Sequence, residues 1–500
     1  MLVPDHRLLL PNHRLLPDTG RTRRGRGYCA RVQLDPVAPP AYEGSSGTDE
    51  VSWLRRYRSD LVWAGVVCSV VVIAFVVPHL HLSWLTPLVP QNPGQEHPLA
   101  GTAPILGIWL PHGNWSTAGA VVLAVVVIAW GPRLAGRLPW RPLLLVVWST
   151  AFVWTVALTL IDGVRRGWVG RMNGTGGYLA QLPKHGSVHS LVQGFAAHIP
   201  ANSPNPWDIS IAGNPPGALL TFFGLDRLGL GGPWWASTLC VVVGSSAAAA
   251  VLVAVRALGQ EALARRAAPF VAIAPLAVWV GVSSDGYYAG VAAWGLALLA
   301  MAASRTTSRP LPVAVAAGLL LVWSVYLDYG LVLLVIPAVA VLVVTRSVRP
   351  IPGALVGGLV VAVTFTALGF WWPHGLSLLR QRYWAGIAGA RPYAYWVWAN
   401  LVSLTCAVGI PAAVGLRRAF DRDALRRRSG LHLLLVAFVV VVVLADVSGL
   451  SKAETERIWL PFAVWLVAAP ALLPPRCHRL CLVVQAVGAL VINSLLLTNW

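Results

Sequence analysis

The sequence predicts an all-α integral membrane protein with about 13 transmembrane helices. Hydrophobic residues make up 56% of the 500 residues and charged residues only 11%, whereas a water-soluble surface needs roughly 25% charged residues. The mean hydropathy is +0.66. The apolar residues form runs long enough, or nearly so, to cross a hydrocarbon core about 30 Å thick, and none alternates as porin strands do. These observations exclude a soluble globule and a disordered chain.

The first 58 residues are expected to form a disordered, basic cytoplasmic tail. They are rich in Pro, Gly, Arg and Asp and have no sustained apolar period. Neither an apolar core nor a cleavage site follows the arginines at 21–26, so the pattern is not that of a signal peptide.

Thirteen apolar runs follow the tail, and in lipid each must be helical because its backbone groups need partners. The runs cover residues 61–78, 116–130, 143–161, 234–255, 267–282, 287–303, 311–327, 329–345, 352–372, 393–415, 431–445, 458–473 and 480–497. The segment 215–232 is expected to be a re-entrant or surface helix, since a full crossing would reverse every later loop.

The distribution of basic residues predicts the orientation. With the N-terminus inside, 28 of the 38 Lys and Arg residues lie on the cytoplasmic face of the plasma membrane, as the positive-inside rule requires. The net charge of +19 therefore reflects topology, and its scattered pattern gives no reason to expect a nucleic-acid partner.

Several acidic residues lie at the outer ends of the apolar runs. Asp162 and Asp328 directly adjoin a run, and Asp285 lies in the tight turn 283–286 between two runs. A carboxylate at the membrane boundary is costly unless it is solvated, paired or used. A solvated helix end can explain any one of them. Together they predict a polar cavity that opens outward.

The outer loop 162–214 is the longest polar segment after the tail, and loops of this length are usually functional or disordered. It contains Tyr178 and, four residues apart, His185 and His189. No third metal ligand stands out, so no metal site is assigned, although dependence on a divalent ion stays open. Its apolar residues predict amphipathic helices at the interface, and Asn214-Pro215-Pro216 predicts a turn that opens the next helix.

A helix closing on Asp162, a long outer loop and this Pro-Pro turn resemble the GT-C glycosyltransferases. These are membrane enzymes with polyprenyl-phosphate sugar donors, such as protein O-mannosyltransferases and aminoarabinose transferases. The resemblance implies that Asp162 is the catalytic base and that Asn214-Pro215-Pro216 stands at a His-Pro-Pro motif. Residues 142–500 would form the GT-C-like domain, preceded by two additional helices within 59–141. Gly163 and Asn214 depart from the family pattern, which places a second acid and a His there.

The tract 451–461 predicts a phosphate-binding cation. On a helix, Glu454 could pair with Arg457 and Lys452 with Glu456, so a self-neutralised helix start is one interpretation. In the other, Arg457 holds the phosphate of the donor through its planar fork. Together with Asp162 this tract is also similar to multi-spanning integral membrane proteins of actinobacteria. Outer-loop Arg380, Arg382 and Arg391 are second candidates for the phosphate, or anchors at the headgroups.

The sequence therefore predicts an inverting, membrane-bound glycosyltransferase of cell-envelope glycan assembly. A polyprenyl-phosphate sugar would be the donor and an extracytoplasmic glycan or protein the acceptor. The expected catalytic residue is Asp162. The expected substrate-binding residues are Tyr178, Asn214, Asp285, Asp328, Lys452, Glu454 and Arg457. A transporter or flippase of a lipid-linked glycan, with buried charges and broken helices, is the alternative, and a non-catalytic membrane scaffold is the third interpretation.

Overall fold

A computed structural model describes residues 48–80, 82, 102–172, 177–182 and 186–498. The chain forms two compact units, 1–56 and 57–500. Of the first unit, only the beginning of a helix that starts at Thr48 is described. Most of the predicted tail therefore lies outside the described residues, and the last part of the predicted tail, from Thr48 on, is helical. Apart from the start of this helix, all that follows concerns the second unit.

The described chain is almost entirely helical, which confirms the predicted all-α class. In its first half the α-helices are α1 (Thr48–Val76), α2 (Trp115–Arg137), α3 (Trp140–Thr159), α4 (Val188–Gly194), α5 (Ile209–Ala212), α6 (Pro216–Arg227), α7 (Pro233–Ala257), α8 (Glu261–Ala272), α9 (Ala277–Val280) and α10 (Ser284–Ala303). In the second half they are α11 (Pro310–Leu327), α12 (Val335–Thr345), α13 (Ile351–Ala367), α14 (Trp372–Ala385), α15 (Ile387–Ala390), α16 (Tyr393–Val408), α17 (Ile410–Ala419), α18 (Arg422–Arg426), α19 (Gly430–Val447), α20 (Thr455–Ile458), α21 (Leu460–Leu466) and α22 (His478–Leu495).

Fewer of the apolar runs are straight spans than the sequence predicts. Within the described residues eight helices are long and apolar enough to cross a membrane, or up to ten if α13–α14 and α16–α17, bent by 70° and 106°, each count as one. The run 267–282 is divided between α8 and α9, where Pro275 cannot continue the helix. The runs 329–345 and 458–473 give only the shorter helices Tyr329–Thr345 and Leu460–Leu472. Hydropathy detects apolar composition and does not detect these breaks.

Helix α6 has twelve residues, about 18 Å at 1.5 Å per residue, so it is too short to cross, as expected for 215–232. It begins at Pro216, with a proline at the first helical position.

Close packing of small residues joins the central helices. A Cβ added to Gly357 of α13 would lie 2.0 Å from the carbonyl oxygen of Val315 in α11. A Cβ added to Gly318 of α11 would lie 1.9 Å from the carbonyl oxygen of Ala354 in α13. Glycine at these positions therefore allows the two backbones to approach, as is typical of membrane helix pairs. Large apolar side chains such as Val122, Leu355 and Val363 remain exposed on the outside of the bundle, where lipid would cover them.

The two described strands form a short antiparallel ribbon. Strand β1 (Gly107–Trp109) pairs with β2 (Leu496–Thr498), with Gly107 opposite Thr498. Beyond it, the His112 N–H donates to the Ser494 carbonyl over 2.8 Å. The ribbon thereby holds the segment before α2 beside the end of α22.

Candidate functional site

A cavity of about 420 Å³ lies at one end of the helix bundle. Three of the helices around it end or begin here: α10 begins at Ser284, α11 ends at Leu327, and α20 ends at Ile458. Its polar lining includes five of the predicted site residues, Tyr178, Asn214, Asp285, Asp328 and Arg457. The structure thus brings together residues that are up to 279 positions apart in the sequence.

Arg457 is the central cation of this cavity. Its Nη1 donates to Asp285 Oδ2 over 2.8 Å and its Nη2 to Glu454 Oε2 over 2.9 Å. Burial opposes the charged form, but the two carboxylates outweigh it and raise the pKa of Arg457. The guanidinium is therefore charged and held in one orientation by two partners.

Asp285 occupies the first turn of α10, where the helix dipole favours a negative charge. Its side chain is 4% exposed. The hydroxyl of the preceding Ser283 caps the helix by accepting from the Gly286 N–H over 3.1 Å. This cap fixes the start of α10 and hence the position of Asp285.

Asp328 stands where α11 ends and is a half-buried member of the cavity wall. Its Oδ1 accepts from the Gly330 N–H over 2.5 Å. Burial, together with the nearby charge of Asp285, raises the pKa of Asp328 to about 7. At neutral pH this carboxyl group can both accept and release a proton.

Tyr178 and Asn214 form a hydrogen-bonded wall on the outer-loop side. The Tyr178 hydroxyl lies 2.9 Å from the Tyr288 hydroxyl and accepts from Asn214 Nδ2 over 2.9 Å. Burial raises the pKa of Tyr178, so the phenol stays neutral. Close behind, a Cβ on Gly217 would lie 2.4 Å from the Tyr326 carbonyl oxygen, which explains why a glycine follows the Pro-Pro turn.

Lys452 and Glu454 lie behind the cavity and are not among its lining residues. Lys452 Nζ donates to the carbonyls of Gly389 and Arg391, both over 2.9 Å, and lies over the Trp384 ring. Glu454 lies between Arg457 and Arg391; burial would raise its pKa, but these two arginines lower it. Lys452 therefore fastens a loop, and Glu454 helps to orient Arg457.

The predicted pair of Glu454 with Arg457 is present, whereas that of Lys452 with Glu456 is not. The helix begins only at Thr455, so Lys452 is not on it and points elsewhere. Glu456 is fully buried and accepts from the Ser403 hydroxyl over 2.6 Å and from the Leu106 N–H over 3.2 Å. Burial raises the pKa of Glu456 to about 7.

Asp162 lies at a second polar cluster and is not among the residues that line the cavity of Arg457. Its side chain is 3% exposed, with Oδ2 accepting from Arg171 Nη2 over 2.5 Å and Oδ1 lying 2.7 Å from His112 Nε2. The other His112 nitrogen, Nδ1, lies 2.7 Å from the Leu110 carbonyl. The imidazole therefore links the Leu110 carbonyl to the Asp162 carboxyl group.

Sequence reasoning named the arginines of the outer loop 373–392 only as second candidates. Arg380 and Tyr383 both line the cavity, whereas Arg382 donates to the Ile199 carbonyl over 2.7 Å. Helical spacing within α14 could have placed Arg380 and Tyr383 on one face. His112 and Arg171, the partners of Asp162, were not predicted as site residues, although the short connection between α2 and α3 could have indicated that the segment with His112 lies beside the end of α3.

Within the described residues no group of three or more His, Cys, Asp or Glu is arranged to hold a metal ion. His185 lies outside the described residues.

No family model matches the chain, and no curated protein matches it. Among solved structures it is similar to an oligosaccharyltransferase of Archaeoglobus fulgidus in three states. The complex with zinc and sulfate is 16% identical at a TM-score of 0.33, over 57% of this chain and 45% of that one. The complex of AglB with an inhibitory peptide and a dolichol-phosphate is 14% identical at a TM-score of 0.36, and the match covers 66% of this chain and 50% of that one. The form tethered to an acceptor peptide is 11% identical at a TM-score of 0.30, and the match covers 84% of this chain and 50% of that one.

This chain spans about half the length of the solved chains that it matches. All three TM-scores are below 0.5, so this distant likeness to a membrane glycosyltransferase carries no weight in the argument about chemistry.

Proposed function

We propose that the protein is a membrane glycosyltransferase that moves a sugar from a polyprenyl-phosphate donor to an extracytoplasmic acceptor in cell-envelope glycan assembly. The observation that carries the proposal is the cavity at the end of the spans. It combines a fixed guanidinium, Arg457, with a carboxyl group that titrates near neutrality, Asp328. A cation for a phosphate and a base for a hydroxyl are the two groups that this reaction needs.

Arg457 would stabilise the leaving group. As the acceptor oxygen bonds to the anomeric carbon, the bond from that carbon to the phosphate oxygen breaks and its electron pair stays on the lipid phosphate. A guanidinium aimed at this oxygen stabilises the charge that develops there. Its orientation by Asp285 and Glu454 means that little reorganisation is needed.

The apolar lining suits a lipid-linked donor. Leu333, Leu376 and Leu379 lie in the same cavity as Arg457, and Arg380, an exposed side chain, stands at its edge. A ligand with a charged head and an apolar tail would find partners for both parts here. The location at the ends of the spans also suits a lipid that stays in the bilayer.

Two carboxylates are candidates for the base. Asp328 lies in the cavity and its pKa of about 7 suits proton acceptance. Asp162 is proposed from the family resemblance; its carboxylate is paired with Arg171 and His112, so it would act only after those partners release it. Separate substitution of each to Asn distinguishes them.

A transporter or flippase of lipid-linked glycans is the second candidate function. The sharp bends of 70° and 106° within two helix pairs favour it, because interrupted helices are typical of transporters. A flippase would move the intact donor lipid, whereas a transferase would cleave it.

The test is transfer of a radiolabelled sugar from polyprenyl-phosphate to endogenous acceptors in membranes with and without the protein. Arg457→Gln is expected to lower transfer by about 100-fold, in the range for loss of one charge-stabilising donor. Arg165→Gln, an exposed arginine after Asp162, is the matched control and should retain activity. Movement of intact donor across the membrane without release of the sugar would favour the flippase instead.

A further inference from the structure

A second large cavity, of about 620 Å³, is lined by three arginines. Arg305 follows the end of α10, Arg346 caps the end of α12, and Arg349 lies in the turn that leads to α13. All three side chains are exposed.

This cavity lies at the opposite membrane surface from the candidate active site. Asp285 begins α10 and Arg305 follows its end, and the 20 residues of that helix correspond to about 30 Å. The two cavities are therefore separated by about one thickness of the hydrocarbon core.

The three arginines lack protein partners in the part of the chain that the structure describes. None of their side chains takes part in a hydrogen bond or an ion pair there, whereas Arg256 and Arg265 on the same side share Glu261. A cation at a helix C-terminus is stabilised by the helix dipole, which accounts for Arg305 and Arg346 singly. It does not account for three uncompensated guanidinium groups around one concave site.

The backbone at two of these positions is unusual. Arg305 and Arg346 have φ values of 54° and 50°, in the left-handed region that favours glycine. Both helices thus end on an arginine where glycine is the common residue. The left-handed backbone at each of these positions sets the direction in which the side chain leaves the helix end.

The remaining lining combines the hydroxyl residues Ser304, Thr345 and Ser347 with apolar residues. Leu258, Val344 and Val348 form part of the same wall, so the cavity offers an apolar surface beside the cations. Free phosphate would use only the cations, whereas a phospholipid would use both.

We propose that this cavity binds the phosphate headgroup of an anionic phospholipid. Guanidinium groups bind phosphate oxygens through bidentate hydrogen bonds, and basic pockets between membrane helices on the cytoplasmic side are suited to anionic headgroups. The site is separate from the proposed transferase cavity and does not depend on that function.

The test is retention of phosphatidylglycerol by the purified full-length protein, counted by native mass spectrometry from nanodiscs of phosphatidylcholine and phosphatidylglycerol. The triple variant Arg305→Gln, Arg346→Gln, Arg349→Gln should bind phosphatidylglycerol at least about tenfold more weakly. The control triple variant Arg422→Gln, Arg426→Gln, Arg427→Gln removes three exposed arginines from α18 and the residue after it and should retain wild-type binding.

Equal loss in both triple variants would mean that only the general charge of this face matters, and would overturn the site. Unchanged binding in the first triple variant would also overturn it. Displacement of the lipid by millimolar inorganic phosphate would show a phosphate site without lipid specificity and contradict the choice of ligand. Because Arg346 caps a helix, the single variant Arg349→Gln, in a turn, serves as a second test whose folding is not at risk.

Discussion

Arg457 and Asp285 are 172 residues apart in the sequence, yet their side chains form a buried ion pair of 2.8 Å at the end of the helix bundle. The pair joins the short helix α20 to the first turn of α10. It therefore both closes the bundle at this end and fixes the cation of the cavity.

Substitution of Arg457 alone should therefore have two effects. Arg457→Gln leaves the Asp285 carboxylate buried without its partner. Breaking a buried ion pair in this way lowers the free energy of unfolding by about 3–5 kcal/mol. The double variant Arg457→Gln, Asp285→Asn should recover most of this stability, because no uncompensated charge remains. Thermal unfolding in detergent measures both.

Transfer activity should not recover in that double variant. If the double variant is both stable and active, Arg457 has only a structural role and the proposed contact with the donor phosphate is wrong.

The pH dependence of transfer should report Asp328. A base must be deprotonated, and the folded-state pKa of Asp328 is raised to about 7, so the rate should rise between pH 6 and about pH 8 and level off above. In Asp328→Asn the rate should fall by about 100-fold or more, within the usual contribution of a general base. A rate profile that is flat over this interval in the wild type would exclude Asp328 as the base.

Asp162→Asn separates a structural from a catalytic role. Loss of its charge leaves the Arg171 guanidinium buried without an anionic partner, so unfolding free energy should fall by about 3–5 kcal/mol. Arg171→Gln with Asp162→Asn removes both charges and should be more stable than Asp162→Asn alone. If this double variant transfers sugar at the wild-type rate, Asp162 is structural; if it is stable but inactive, the resemblance-based assignment of the base is supported.

Glu456 should make stability depend on pH. Its folded-state pKa is raised to about 7 from an ordinary value of 4.5, so the folded state binds the proton more tightly than the unfolded state does. The contribution of Glu456 to stability is therefore largest below about pH 4.5, and it is lost as the pH rises through about 7. Glu456→Gln keeps a neutral hydrogen-bonding group for Ser403 and should reduce the fall in Tm between about pH 5 and pH 7. An identical Tm profile in the variant and the wild type would contradict the buried, protonated state.

Much of the fold and part of the candidate site could be predicted from the sequence. Apolar runs locate the helices, because burial in lipid demands both apolar side chains and helical backbone. Asp285, Asp328 and Arg457 were found because charged residues at the ends of such runs need partners, and the structure places the three around one cavity.

The missing part depends on tertiary contacts. Lys452 was assigned to a helix that begins three residues later, at Thr455, so its predicted partner was wrong. His112 reaches Asp162 because α2 and α3 form a hairpin whose far ends meet, where Asn114 Nδ2 also donates to the Leu160 carbonyl. Residue spacing within a single helix carries no signal for either arrangement.

The most direct test of the central claim is an experimental structure of the protein in nanodiscs with a polyprenyl-phosphate sugar bound. We predict that the lipid phosphate lies within about 3 Å of an Arg457 guanidinium nitrogen, with the sugar directed towards Asp328. A phosphate bound at the Asp162–Arg171 cluster, or bound only at the cavity of Arg305 on the opposite surface, would contradict the account.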